Sequence, residues 1–97
     1  MYENGVRVAG PLFSALSVAH REPGAPTRVG FSLPKALGNA VARNRIRRRL
    51  RESVRLEMAE EATGFDIVFH PRKSALTASW DELRREVRKV FARCKPS

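Results

Sequence analysis

The residues able to do chemistry crowd between Lys35 and Glu52, in the run KALGNAVARNRIRRRLRE, and seven arginines lie between Arg43 and Arg55. Guanidinium groups at this density offer forked hydrogen bonding to phosphate and flat surfaces that stack on bases. Arg47, Arg51 and Arg55 recur at i,i+4, where like charges cost about a few tenths of a kcal/mol per pair, and Glu52 is the one acid among them. The bland reading of such a row is a solvated amphipathic face. A bound anion explains the density better. Asn44, among the arginines, offers an amide to a 2′-OH or base edge, unless it bonds local backbone instead.

Other chemistry is thin. Asp66 and His70 stand at i,i+4 on an apparent strand, on one side of it, with no third ligand or base at hand, which makes a poor nuclease site. Glu57, Glu60 and Glu61 end the basic segment and read as a solvated acidic cluster. His20 and His70 lack metal-ligand spacing to the single cysteine, Cys94, which continues an apolar helical stripe and so reads as a core thiol. Neither a catalytic side chain nor a metal-ligating set emerges.

Composition frames this. The chain has 97 residues, 42% of them hydrophobic, enough for one modest core, so residues 1–97 read as a single domain. Nineteen Lys+Arg against ten Asp+Glu leave +9 at pH 7, and fifteen of the nineteen are arginine, a balance suited to a polyanionic partner. No apolar run approaches the roughly 18 to 20 residues of a membrane span, and the N-terminus lacks the basic-then-apolar order of a secretory signal, so a cytoplasmic location is expected.

The elements that must position the arginines follow from periodicity. A short strand near Val6 to Val8 precedes a strand through Leu12 to Ala19, and Val29, Phe31 and Leu33 alternate in another from Thr27 to Leu33. Two prolines and a glycine between Arg21 and Pro26 make a turn, which predicts that these two strands pair as a hairpin. Asn39 is a good N-cap, and a helix is predicted from Ala40 to about Ala62 with Gly64 as its C-terminal glycine. On it Ala42, Ile46, Leu50, Ser53 and Val54 share the docking side, with the arginines opposite. Phe65 to His70 alternates as a further strand ended by Pro71, and Arg72 to Thr77 is a basic and polar connector. Ser79 to Glu82 form a capping box for a last helix ending near Cys94, with Trp80, Leu83, Val87, Val90 and Phe91 packed inward. Trp80, Phe65, Phe69 and Phe91 are expected in the core. The order gives an α+β fold, a mixed sheet of about four strands with helices packed on it.

A basic helix embedded among strands is unlike the compact helical motifs that enter the DNA major groove. It suits a folded RNA, recognised by shape and phosphates. A structural RNA-binding protein, such as a ribosomal component, fits this much equally well.

Lys35, Gly38-Asn39-Ala40-Val41, Arg43-Asn44-Arg45, Arg47-Arg48 and Arg51-Glu52 together closely resemble the signature of the bacterial ribonuclease P protein subunit. Pro11-Leu12-Phe13, Arg28 to Ser32, Phe65 to Val68 and the closing helix fall in that family's order, so the resemblance spans roughly residues 2 to 94. It implies a small basic protein that holds a catalytic RNA as its partner, the holoenzyme removing the 5′ leader of precursor tRNA by Mg²⁺-dependent hydrolysis, with the metal ions and attacking water belonging to the RNA and no obligate protein partner. By the same resemblance Arg43, Asn44, Arg45, Arg47, Arg48 and Arg51 contact the catalytic RNA. Tyr2, Phe13, Phe31, Lys35, Asn39, Arg72 and Lys73 line a cleft for the single-stranded leader. The fold implied is an α/β sandwich with a left-handed βαβ crossover through the arginine helix, similar to a ribosomal protein and one elongation-factor domain, whereas general rules favour a right-handed one. Two departures stand out: the chain begins where the family's N-terminal helix should be ending, so that either part of the cleft is absent or the chain is truncated, and Pro34 replaces the usual polar or basic neighbour of Lys35.

Overall fold

The computed structural model describes residues 5–19, 27–58 and 64–93. Strands β1 (Val6–Ala9), β2 (Phe13–Ala19) and β3 (Arg28–Phe31) lead through a 3-10 turn (Lys35–Leu37) into helix α1 (Ala40–Glu57). Strand β4 (Phe65–Pro71), a one-turn helix α2 (Ser74–Thr77) and helix α3 (Trp80–Arg93) complete it. The four strands form one mixed sheet in the order β1-β2-β4-β3, antiparallel except for the parallel β3–β4 pair that α1 connects.

Alternation along the strands decides which face is covered. Across the register Ala15, Phe69 and Phe31 fall in line, as do Ser17, Ile67 and Val29, and partners in line share a face. Buried Phe13, Ala15, Ser17, Ile67 and Phe69 put that face against the helices, where Ile46, Leu50 and Val54 of α1 and Leu83, Val87, Val90 and Phe91 of α3 meet them in one core. On the other face Leu16, Val18 and Val68 are half-buried, and His70 and Arg28 are exposed. The result is a mixed sheet with helices packed on it, as the periodicity implied, in the two-layer sandwich that the resemblance implied.

The expected hairpin does not form, because β4 lies between β2 and β3. Strand length explains it: seven residues of β2 pair in full with seven of β4, from Phe13 opposite Pro71 to Ala19 opposite Phe65, while β3 has four. The short strand belongs at an edge. The connection from Ala19 to Arg28 is also longer than a tight hairpin turn, and it easily spans the ~10 Å of two strand spacings.

Three further expectations are corrected. Helix α1 ends at Glu57, with Met58 extended at its C-cap, so Gly64 (φ +80°) leads into β4 and is no helix terminus. Glu57 is not solvated: its side chain is 8% exposed and accepts hydrogen bonds from Arg84 Nε (2.6 Å) and Arg88 Nε (2.8 Å), clasping α3 to the end of α1. Trp80 is 37% exposed although its helical angle sets it on the apolar stripe. It is the first residue of α3, at the end of the layer and not within it. Phe65 is half-buried, and the Ser79 hydroxyl caps α3 by accepting from the Glu82 amide at 3.1 Å. Tyr2, His20, Glu60, Glu61, Cys94 and the turn at 21–26 lie outside the described residues.

Candidate nucleic-acid interface

Because β3 and β4 are parallel, their carboxyl ends open on the same edge of the sheet, and α1 starts there. Chain leaving β3 passes half-buried Phe31 and Leu33, then Pro34, whose carbonyl accepts from the Leu37 amide at 3.0 Å, and exposed Lys35. Gly38 turns it into the helix at φ +132°, and a β-carbon there would stand 3.2 Å from that of Ala42. Both features call for glycine. Asn39 then caps α1, its side-chain oxygen accepting from the Ala42 amide at 2.9 Å. At the same edge β4 delivers Arg72 and Lys73, both exposed, and the Arg72 amide is fixed to the Leu12 carbonyl at 2.8 Å. Thus Phe31, Lys35, Asn39, Arg72 and Lys73, scattered in sequence, are gathered at one edge.

The arginines of α1 divide by their surroundings. Arg45, Arg47, Arg48 and Arg51 are exposed, and among the described residues none of them is paired with a carboxylate. Asn44, also exposed, steadies this ridge by accepting from Arg47 Nη2 at 3.3 Å. Arg55 is neutralised by Glu52, whose carboxyl is held below its usual range by that hydrogen bond. Arg43 is half-buried on the flank facing the β3 exit, with Nη1 3.5 Å from the Leu33 carbonyl and a buried Nε that meets no acceptor among the described residues. Arg49 turns to the other flank, donating to the carbonyls of Leu76 (2.6 Å) and Ala78. Sequence reasoning left Arg49 without a role, and the only hint lay in its helical angle, between the docking side and the basic side.

Phe13 departs from its expected place in the cleft. It is 3% exposed, its ring edge-on to Phe69 at 5.1 Å, because its parity on β2 turns it under the helices. Phe31, on the edge strand, stacks on Phe69 at 5.8 Å with part of its surface free. Asp66 is held by Arg28 (2.9 Å), whose pKa this hydrogen bond raises, so it does not stand ready beside His70. Among the described residues no three of His, Cys, Asp and Glu gather as a metal site, and no helix is long and apolar enough to cross a membrane.

This edge of basic and aromatic residues, continued by an unpaired arginine ridge, sits on a chain whose residues 1–95 match the family described as Ribonuclease P. The chain belongs to the ribonuclease P protein family. It is 42% identical over 93 residues to the ribonuclease P protein component of Symbiobacterium thermophilum, an alignment covering 96% of this chain and 80% of that protein. With the component of Kocuria rhizophila identity is 49% over 69 residues, covering 71% of this chain and 61% of the relative, so the chain spans less than two thirds of that relative's length. The ribonuclease P protein of Staphylococcus aureus superposes with a TM-score of 0.75 at 27% identity, covering 96% of this chain and 84% of that one. The ribonuclease P protein of Thermotoga maritima, at 23% identity and a TM-score of 0.76, shares the fold. The α+β sandwich is therefore the fold of ribonuclease P proteins.

Proposed function

We propose that this chain is the protein subunit of an RNA-based endoribonuclease in the cytoplasm: it binds the ribonuclease P RNA and the 5′ leader of precursor tRNA, and promotes Mg²⁺-dependent removal of the leader. What supports the reading most is the exposed ridge of Arg45, Arg47, Arg48 and Arg51, four guanidinium groups without a carboxylate between them, running from the edge where Phe31, Lys35, Arg72 and Lys73 meet. The ridge meets phosphates of the catalytic RNA, and the buried Nε of Arg43 takes an acceptor from the same ligand. The edge offers a single strand what it needs: the free part of the half-buried Phe31 ring for a base, and exposed Lys35, Arg72 and Lys73 for its phosphates.

Among the described residues no cluster of carboxylates fits a magnesium site. Asp66 is tied to Arg28 and Glu57 to Arg84 and Arg88, and a hard divalent cation wants several free oxygen ligands. We place the ions with RNA and substrate, and no step of the reaction passes through a side chain of this protein. A ribosomal-type structural role needs the ridge but has no use for the edge. Replacing Lys35 with Ala therefore separates the two: it weakens precursor tRNA more than mature tRNA if the edge grips a leader. Equal weakening of both would remove the leader from the account.

A further inference from the structure

Beside the arginine ridge stands an aromatic residue that the reading above leaves without a task. Trp80 is the only tryptophan of the chain, and it is 37% exposed. Its position against α1 is bracketed by two ties. Just before it, Arg49 donates to the carbonyls of Leu76 and Ala78; just after it, Arg84 and Arg88 donate to Glu57. Trp80 accordingly lies alongside the part of α1 between Arg49 and Glu57. On that flank, at three- and four-residue spacings, α1 carries Arg45, Glu52 and Leu56, all exposed, Leu56 to 43%. The flank is distinct from the one that faces the β3 exit, since Arg43 and Arg49 stand about 120° apart around the helix axis.

The charges here favour an anion. Glu52 is neutralised by Arg55 and Glu57 by two arginines of α3, while Arg45 meets no carboxylate among the described residues. Asp81, next to Trp80, shares a concave surface with Arg84, Arg85 and Arg88. An indole and a leucine left in water, with an unpaired guanidinium one turn beyond Arg49 on the same stripe of α1, offer a single strand a π-face for a base and, further along, a cation for a phosphate. A protein partner would be met by an apolar patch ringed by both signs of charge; on this flank of α1 the uncompensated charge is positive.

We propose that Trp80, alongside the stripe of α1 that carries Leu56 and, further toward its N-terminus, Arg45, stacks on one unpaired base of the RNA that α1 binds, extending the contact of the ridge to the flank of α1 away from Lys35. The proposal rests on the RNA-binding reading and adds to it a specific unpaired nucleotide.

The test uses the whole protein, a bacterial ribonuclease P RNA, and the emission of its single indole, with binding followed separately by filter retention. At saturating RNA the emission is quenched and acrylamide access to Trp80 falls several-fold. Trp80→Ala binds on the order of tenfold more weakly with an unchanged salt slope, Trp80→Phe keeps most of the affinity, and Arg45→Ala lowers the slope by about 0.7. Retention of RNA on the filter with emission and acrylamide access unchanged overturns the stacking contact, as does a Trp80→Ala protein that binds like the parent. Absence of retention altogether overturns the RNA-binding reading itself. The fluorescence of the parent protein needs no substitution, so a folding defect in a variant leaves the answer intact.

Discussion

Arg49 donates from Nη1 to the main-chain carbonyl of Leu76 at 2.6 Å, and a second bond runs to Ala78. One arginine from the middle of the basic run is thus a structural tie between α1 and the turn that starts α3. Arg49→Ala should cost about 2 kcal/mol by leaving two part-buried carbonyls without their charged donor, a fall in Tm on the order of 10 °C. Arg49→Lys should recover only part of it, since an ammonium lacks the planar fork. Thermal unfolding of the variants checks this, and the salt slope of RNA binding should stay where it was.

The exposed ridge predicts the opposite pattern. Single Ala substitutions at Arg45, Arg48 and Arg51 leave Tm within about 3 °C of the parent, because none of the three makes an ion pair among the described residues. Each should lower the slope of log K against log salt by about 0.7 to 0.9 out of a total on the order of −4 to −5. Binding isotherms at several salt concentrations measure it directly.

Glu57 makes folding pH-dependent. Its carboxyl is held below the usual range first by the hydrogen bond from Arg88 and then, against the opposing effect of burial, by Arg84. A carboxylate with a depressed folded pKa contributes stability that is fully present above its unfolded pKa, about 4.3, and is lost as pH falls through the lower folded value. The denaturation midpoint should therefore drop below about pH 4 in the parent, and Glu57→Gln should lower stability at neutral pH while flattening that acid limb. An unchanged acid limb in Glu57→Gln would mean that the clasp does not hold α3.

Phe13 and Phe31 both touch Phe69, but from different depths. Phe13→Ala should destabilise the fold by about 3 to 5 kcal/mol, as a buried phenyl does. Phe31→Ala should cost less stability and, where the leader is held at the β3 exit, weaken precursor tRNA relative to mature tRNA. Chemical denaturation alongside the two binding assays distinguishes a core ring from a stacking ring.

Much of the architecture was legible because it rests on local periodicity: Ile46, Leu50, Ser53 and Val54 are spaced for one face of a helix, and they are the buried residues of α1. The Asn39 and Ser79 caps were equally plain, since each bonds within its own turn. What escaped depends on contacts far apart in the chain. Nothing near β2 or β3 announces that β4 will enter between them, and the burial of Glu57 is decided by Arg84 and Arg88 some thirty residues later. In the candidate site, the signature marked the basic segment, but not which way each arginine turns. Arg43 and Arg49 have the same chemistry as Arg45 and Arg48, and only the neighbouring carbonyls of Leu33, Leu76 and Ala78 turn them inward.

The central claim, a protein that serves an RNA catalyst at its arginine ridge, is tested most directly by reconstitution. The protein is titrated into a bacterial ribonuclease P RNA at limiting Mg²⁺, and removal of the 5′ leader from precursor tRNA is followed. Cleavage should rise with added protein, vanish when the RNA is digested away, and rise far less with an Arg45→Ala, Arg48→Ala double variant. RNA that is bound with no gain in cleavage, or cleavage by the protein with no RNA present, would contradict it.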